Sequence, residues 1–208
     1  MIFTMFFRLD REKKMRIINT AMNEFAQKGF KNASTDEIVK AAEISKGSLY
    51  HYFKSKKNLY LFLYDYALNI LKDEILSKFD SNERDIFIRR HHGMILKTEV
   101  LKKHPEIYAF TAAAYKEDSP EVKNELESRN AQLMRIGQSF LNQNIDTSKF
   151  KEGIDIGKAI NIVTWTIDGF TKSELEKIKN RTPDEIDLDK LLEEIKEYLK
   201  ILKACFYK

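Results

Sequence analysis

The 208-residue sequence predicts an all-α protein, with an N-terminal three-helix unit joined by a long helix to a C-terminal helical region. Three observations predict it. Leu, Ile and Phe recur at helical spacing along most of the chain, and few Val, Ile or Thr runs alternate with the period of two that a strand requires. Only three prolines and seven glycines interrupt these repeats. Hydrophobic residues at 43% and charged residues at 33% describe a chain able to bury a core, not a disordered one.

The elements follow in order. The opening MIFTMFFRL is apolar, but its basic residues come after the apolar run and no small-residue cleavage site follows, so it is not a secretory signal. It is expected to be a loosely ordered leader, with Met1 and Met5 both possible starts. The first helix spans 10–28, with Ile18, Ala21, Met22 and Phe25 as its apolar stripe and Gly29 as the residue that ends it. Ser34 and Glu37 have the spacing of a capping box and open a second helix that runs to Ala42. Ser45 caps a short third helix, and Ser55 caps a long fourth one over 56–79. Pro105, Pro120 and Pro183 each suit a first helical position, with Ser119 and Thr182 as caps for the last two. They divide the remainder into helices near 83–103, 105–117, 120–143, 151–180 and 184–206. The expected organisation is residues 1–55 and residues 56–208, with the fourth helix as the joint.

Charge is uneven. Residues 1–60 carry 12 Lys/Arg against 6 Asp/Glu, whereas residues 61–208 carry 24 against 26. One end of the molecule is thus prepared for a polyanion. The stretch SKGSLYHYFKSKKNL, from Ser45 to Leu59, concentrates the signal. Projected at 100° per residue, Leu49 and Phe53 share one face, while Gly47 and His51 lie opposite, flanked by Ser48 and Tyr50. Lys46, Lys54, Lys56 and Lys57 surround this polar face. Two short helices separated by a tight turn, the second polar outside and ringed by lysine, are the parts of a DNA-reading helix-turn-helix.

The run from Ile17 through FAQKGFKNASTDEIVKAAEISKGSLYHYFKSKKNL closely resembles the N-terminal domain of the TetR family of bacterial transcriptional regulators, including its Phe–x–x–Lys–Gly–Phe turn and Gly–x–Leu–Tyr–x–Tyr–Phe recognition helix. The resemblance implies that Thr35 donates to a phosphate and that Lys46, Gly47, Ser48, Tyr50 and His51 face DNA. It also implies that Lys56 meets a phosphate. One position departs from the pattern: Glu43 stands where family members commonly have Gly, and a left-handed turn there would cost on the order of 1 kcal/mol.

The resemblance further implies a cytoplasmic homodimer that binds a palindromic operator as a repressor and is released by a small, mostly apolar effector. The final helix carries Leu192, Ile195 and Leu199 on one stripe, and Ile160, Val163 and Ile167 form another on the helix before it. Those stripes are expected to form the dimer interface. Phe62, Tyr66, Phe87, Phe110, Tyr115 and Trp165 are the expected effector-lining aromatics, with Arg90, His91, His92 or His104 as a polar anchor. A small-molecule carrier that retains an unused DNA-binding head is the rival reading, and the basic balance of residues 1–60 argues against it. No nucleotide-binding glycine loop, nucleophile elbow or metal-ligand spacing points to an enzyme or a cofactor. His91 and His92 are adjacent on a helix and point about 100° apart, so they do not chelate one ion. Cys205 is the only cysteine, which excludes a disulfide framework and fits a reducing compartment.

Overall fold

The computed structural model describes residues 3–177 and 185–208, and among these the chain is helical throughout. The helices are α1 (Thr4–Phe7), α2 (Arg11–Asn32), α3 (Thr35–Ala41), α4 (Lys46–Phe53), α5 (Lys56–Lys78), α6 (Ile86–Lys103), α7 (Pro105–Tyr115), α8 (Lys123–Leu141), α9 (Ile156–Lys177) and α10 (Leu188–Phe206). A 3-10 turn at Thr147–Lys149 precedes α9. The chain folds into two compact units that are each discontinuous in sequence: residues 1–72 with 101–134, and residues 73–100 with 135–208.

In the first unit, α2, α3, α4 and the start of α5 bury Ile17, Met22, Phe25, Ile38, Leu49, Phe53 and Leu59 around one core. The opening residues are part of it, contrary to the expected loose leader. Phe6 is buried against Phe53 and Phe62, at ring separations of 4.9 and 5.2 Å, and Phe3 packs on the same two rings. The rings of Phe3 and Phe6 have more to gain from that cleft than from solvent, whereas Phe7 stays exposed.

The caps act largely as the sequence indicates. Asp10 accepts from the Lys13 amide, Ser34 from Glu37 and Ser45 from Ser48. Gly29 breaks α2 with φ 68° and ψ 174°, a region essentially closed to residues with a Cβ. α7 packs along α2, and Phe110 completes an aromatic cluster with Phe25 and Tyr60. Just beyond α7, the Glu117 carboxylate accepts from the Phe30 amide freed by the Gly29 break (2.7 Å) and from the Ser119 amide (2.9 Å).

The second unit has its own core of Ile86, Phe87, Phe150, Ala159, Val163, Leu199 and Tyr207. Asp85 organises its edge. Its buried carboxylate accepts from the Phe87 and Ile88 amides at the start of α6, and it lies 3.0 Å from the Lys203 ammonium and 3.4 Å from that of Lys149. Burial pushes the Asp85 pKa up, but the Lys203 contact and the two amides outweigh it and hold the carboxyl below its ordinary value. A single antiparallel bridge, Phe150 to Tyr207, fixes the end of the chain.

Two helix starts differ from expectation. α8 begins at Lys123, because the Ser119 carbonyl accepts from both Val122 and Lys123 and leaves Pro120 in a turn. The cap expected at Thr182 and Pro183 lies outside the described residues; α10 starts at Leu188, where Asp187 accepts from the Lys190 amide.

Candidate nucleic-acid interface

The turn between α3 and α4 is a Schellman motif. Glu43 N–H donates to Lys40 and Ile44 N–H to Val39, which places Glu43 in the left-handed region at φ 54°. The strain expected of a side chain there is therefore present. Arg16 offsets part of it: its Nε donates to the Ala42 carbonyl at 2.9 Å, and its guanidinium lies 3.9 Å from the Glu43 carboxylate.

This turn presents α4 with Leu49 and Phe53 inward and its polar face outward. Tyr50 is 41% exposed, His51 is exposed, and neither side chain hydrogen-bonds within the chain. A Cβ on Gly47 would meet only the Ser45 hydroxyl, at 3.8 Å, so the backbone there is open to close approach. Ser48 is held by Ser45 through both its amide (3.0 Å) and its hydroxyl (2.8 Å). Lys46 reaches across to Asp36 of α3 at 2.7 Å, and that hydrogen bond and charge raise its pKa above the ordinary lysine value. Thr35 sits at the first position of α3, with a hydroxyl that makes no bond inside the chain.

Lys56 is a correction. Its ammonium donates to the carbonyls of Lys31 (3.0 Å) and Ala33 (2.8 Å) and lies over the Phe30 ring. Two of its three donors are spent closing the end of α2, so the side chain is a structural clamp and not a free phosphate ligand.

The residues expected at the dimer interface also turn out differently. Val163 is 1% exposed, and Ile195 and Leu199 are equally inaccessible; Ile160 and Ile167 pack against the same core. Val163, Ile195 and Leu199 are consumed within one chain and have no surface left for a partner, whereas Ile160 and Ile167 are only partly buried. Leu192 is half-buried. The apolar surface of α9 and α10 is instead Ile162, Trp165, Tyr198 and Ile201, with Trp165 67% and Ile201 62% exposed. Trp165, expected to line an effector site, belongs to that outer surface.

The other expected effector aromatics fall in both units. Phe62 packs behind α4 against Phe6 and Phe53, and Phe110 against Phe25, Tyr60 and Tyr64. Tyr66 directs its hydroxyl to the Met15 sulfur, and Tyr115 is exposed. In the second unit, Phe87 packs edge-on against Tyr207. Sequence reasoning did not single out Glu117, Arg16 or Asp36; all are charges whose partners lie far along the chain or across a turn.

A short recognition helix that turns Tyr50 and His51 outward with no internal hydrogen bond, braced by a Schellman turn and basic neighbours, defines a helix-turn-helix DNA-binding protein. Residues 17–62 match the family model described as "Bacterial regulatory proteins, tetR family". This N-terminal region is thus a TetR-type DNA-binding domain, and the solved structures similar to the whole chain include TetR-family regulators. It is 22% identical over 162 residues to the fatty acid metabolism regulator protein of Bacillus subtilis, covering 76% of this chain and 81% of that one. It is 46% identical over 48 residues to the regulator QacR of Staphylococcus aureus, covering 23% of this chain and 26% of QacR. It is 33% identical over 137 residues to the uncharacterized regulator YuxN of Bacillus subtilis, covering 66% of this chain but under half (45%) of YuxN. In fold it is similar to the fatty acid degradation regulator FadR from Bacillus halodurans, with a TM-score of 0.67, 18% identity, and coverage of 89% of this chain and 96% of that one. The protein is thus a DNA-binding transcription regulator and not an enzyme. Among the described residues, no helix is long and apolar enough to cross a membrane.

Proposed function

We propose that the protein is a cytoplasmic homodimeric repressor that binds a palindromic operator through α4 and leaves it when a small, mostly apolar effector binds. The free, outward Tyr50 and His51 are the observation that carries this reading. Exposed donors with no internal hydrogen bond, on rings that remain open to solvent, fit base edges and thymine methyls in a major groove. Lys46 and Thr35 supply phosphate contacts, and Gly47 and Ser48 allow the backbone close to the duplex. The amide end of α5 stands in for the Lys56 side chain as an anion-favouring element.

Eight residues cover too few base pairs to specify one site. Two copies related by a two-fold axis would place two such helices about 34–36 Å apart, one turn of DNA. Ile162, Trp165, Tyr198 and Ile201 form the surface we assign to that pairing. The relatives named for fatty acid metabolism and degradation favour an effector with an apolar body. By linkage, operator DNA must weaken effector binding by the same factor as the effector weakens operator binding.

The experiment is a mobility-shift titration against the DNA upstream of the protein's own gene. Sequence-preferring binding that falls steeply with salt and is weakened in both Tyr50→Ala and Lys46→Ala is expected. Binding unchanged in both variants sinks the assignment of α4.

A further inference from the structure

Two adjacent arginines on α6 are treated very differently by the fold. Arg89 is buried and saturated: Nε donates to the Leu141 carbonyl, Nη1 to Glu83 and Nη2 to Phe140. It also lies against the rings of Phe79 and Phe140. That is a structural residue, closing the C-terminus of α8.

Arg90 is 5% exposed, yet only Nη2 is engaged, with Asn142 Oδ1 at 2.7 Å and Thr164 Oγ1 at 3.0 Å. Both partners are neutral. Nε is buried with no acceptor, and Nη1 makes no hydrogen bond among the described residues but is not sealed from water. Among the described residues no carboxylate lies within ion-pair distance; Asp168, one turn beyond Thr164 on α9, is the opposite charge that acts on it from farther away. A guanidinium taken out of water without a counter-ion is among the most unfavourable groups a core can hold. Arg89, likewise without an ion pair among the described residues, differs in that Nε, Nη1 and Nη2 all reach carbonyls, which shows how this fold completes such a group when it is needed for structure alone.

Lys97 lies seven residues on, roughly 10 Å along the same face of α6. It too has no hydrogen-bond or ion-pair partner. Its side chain is exposed, so its ammonium is accessible to an anion on that face. Met94 stands between the two cations on that face, and Ile160 and Ile167 flank Thr164 on α9. Two unpaired cations separated by apolar side chains call for a ligand with an anionic head and an apolar body.

We propose that Arg90, supported by Lys97, is an anion site of the second unit, and that the effector is an amphipathic carboxylate whose head group binds there. This deepens the regulator reading and rests on it, since it names the chemical class of the molecule that releases the operator. The carboxylate supplies the acceptor that Arg90 lacks and the counter-charge that Asn142 and Thr164 do not provide.

The test is calorimetric titration of the full-length protein with sodium octanoate and with 1-octanol, which has the same body and no charge. Saturable octanoate binding, with 1-octanol at least about tenfold weaker, is expected. Arg90→Gln should weaken octanoate by roughly tenfold or more and leave 1-octanol unchanged. Should Arg90→Gln fail to fold, Lys97→Gln carries the same test, because that side chain closes no internal contact. Equal affinity for the acid and the alcohol, or octanoate binding that neither variant alters, overturns the site. A mobility shift on the same samples separates the two proposals: intact operator binding without octanoate selectivity ends only this one. Octanoate selectivity without any operator binding ends the repressor reading and leaves the anion site standing.

Discussion

The outward faces of α4 and of the α9–α10 pair share a construction and differ in chemistry. Each helix turns a Leu, Ile, Val or Phe stripe inward: Leu49 and Phe53 in one, Val163, Ile195 and Leu199 in the other. Outward, α4 shows Gly47, Tyr50 and His51 with Lys46 at the rim, whereas α9 and α10 show Ile162, Trp165, Tyr198 and Ile201. The inward faces teach only that each helix has a core to join. The outward faces teach what lies beyond: a hydrated polyanion for the first, a dry protein surface for the second.

The strongest way to break this comparison is to charge the dry face. Trp165→Glu combined with Ile201→Glu should give a monomer by sedimentation and lower operator affinity on the order of 10²–10⁴-fold, the loss of a second tethered contact. A dimer that survives both changes would refute the assignment. Leu199→Ala sharpens the same contrast from inside: unfolding stability should fall by about 2–5 kcal/mol in denaturant titration while the dimer constant holds. On α4, Tyr50→Ala should weaken operator binding by roughly 1–3 kcal/mol and relax sequence preference. Lys46→Ala should act on all DNA alike and reduce the salt slope by about 1. The smallest expected effect is a gain. Glu43→Gly removes the side chain from a left-handed position and should add about 1 kcal/mol of stability, read as a higher denaturation midpoint.

These contrasts also explain what could be foreseen. The first unit was legible because its signals are local: caps three residues from the amides they satisfy, a glycine at the break of α2, a polar face opposite Leu49 and Phe53. Glu43 was even legible as a strained position. Lys56 was not, since a sequence displays an ammonium group without the Lys31 and Ala33 carbonyls that claim it. On α9 and α10 the apolar periodicity marks Val163, Ile195 and Leu199 without telling an internal core from a partner's surface, and the structure buries all three within one chain. Phe62 and Phe110 are likewise ambiguous in sequence, and the structure packs them into the first unit. The unsaturated state of Arg90 depends on atoms 52 and 74 residues away, beyond the reach of any spacing rule.

The ion pair from Lys46 to Asp36 gives the free protein a brake at first encounter. Any duplex that engages Lys46 must displace a carboxylate already seated on it, so the pair lowers attachment to random DNA and to the operator by the same factor and leaves discrimination to Tyr50 and His51. Asp36→Asn should therefore let the protein linger on every duplex, with its ratio of operator to random binding unchanged.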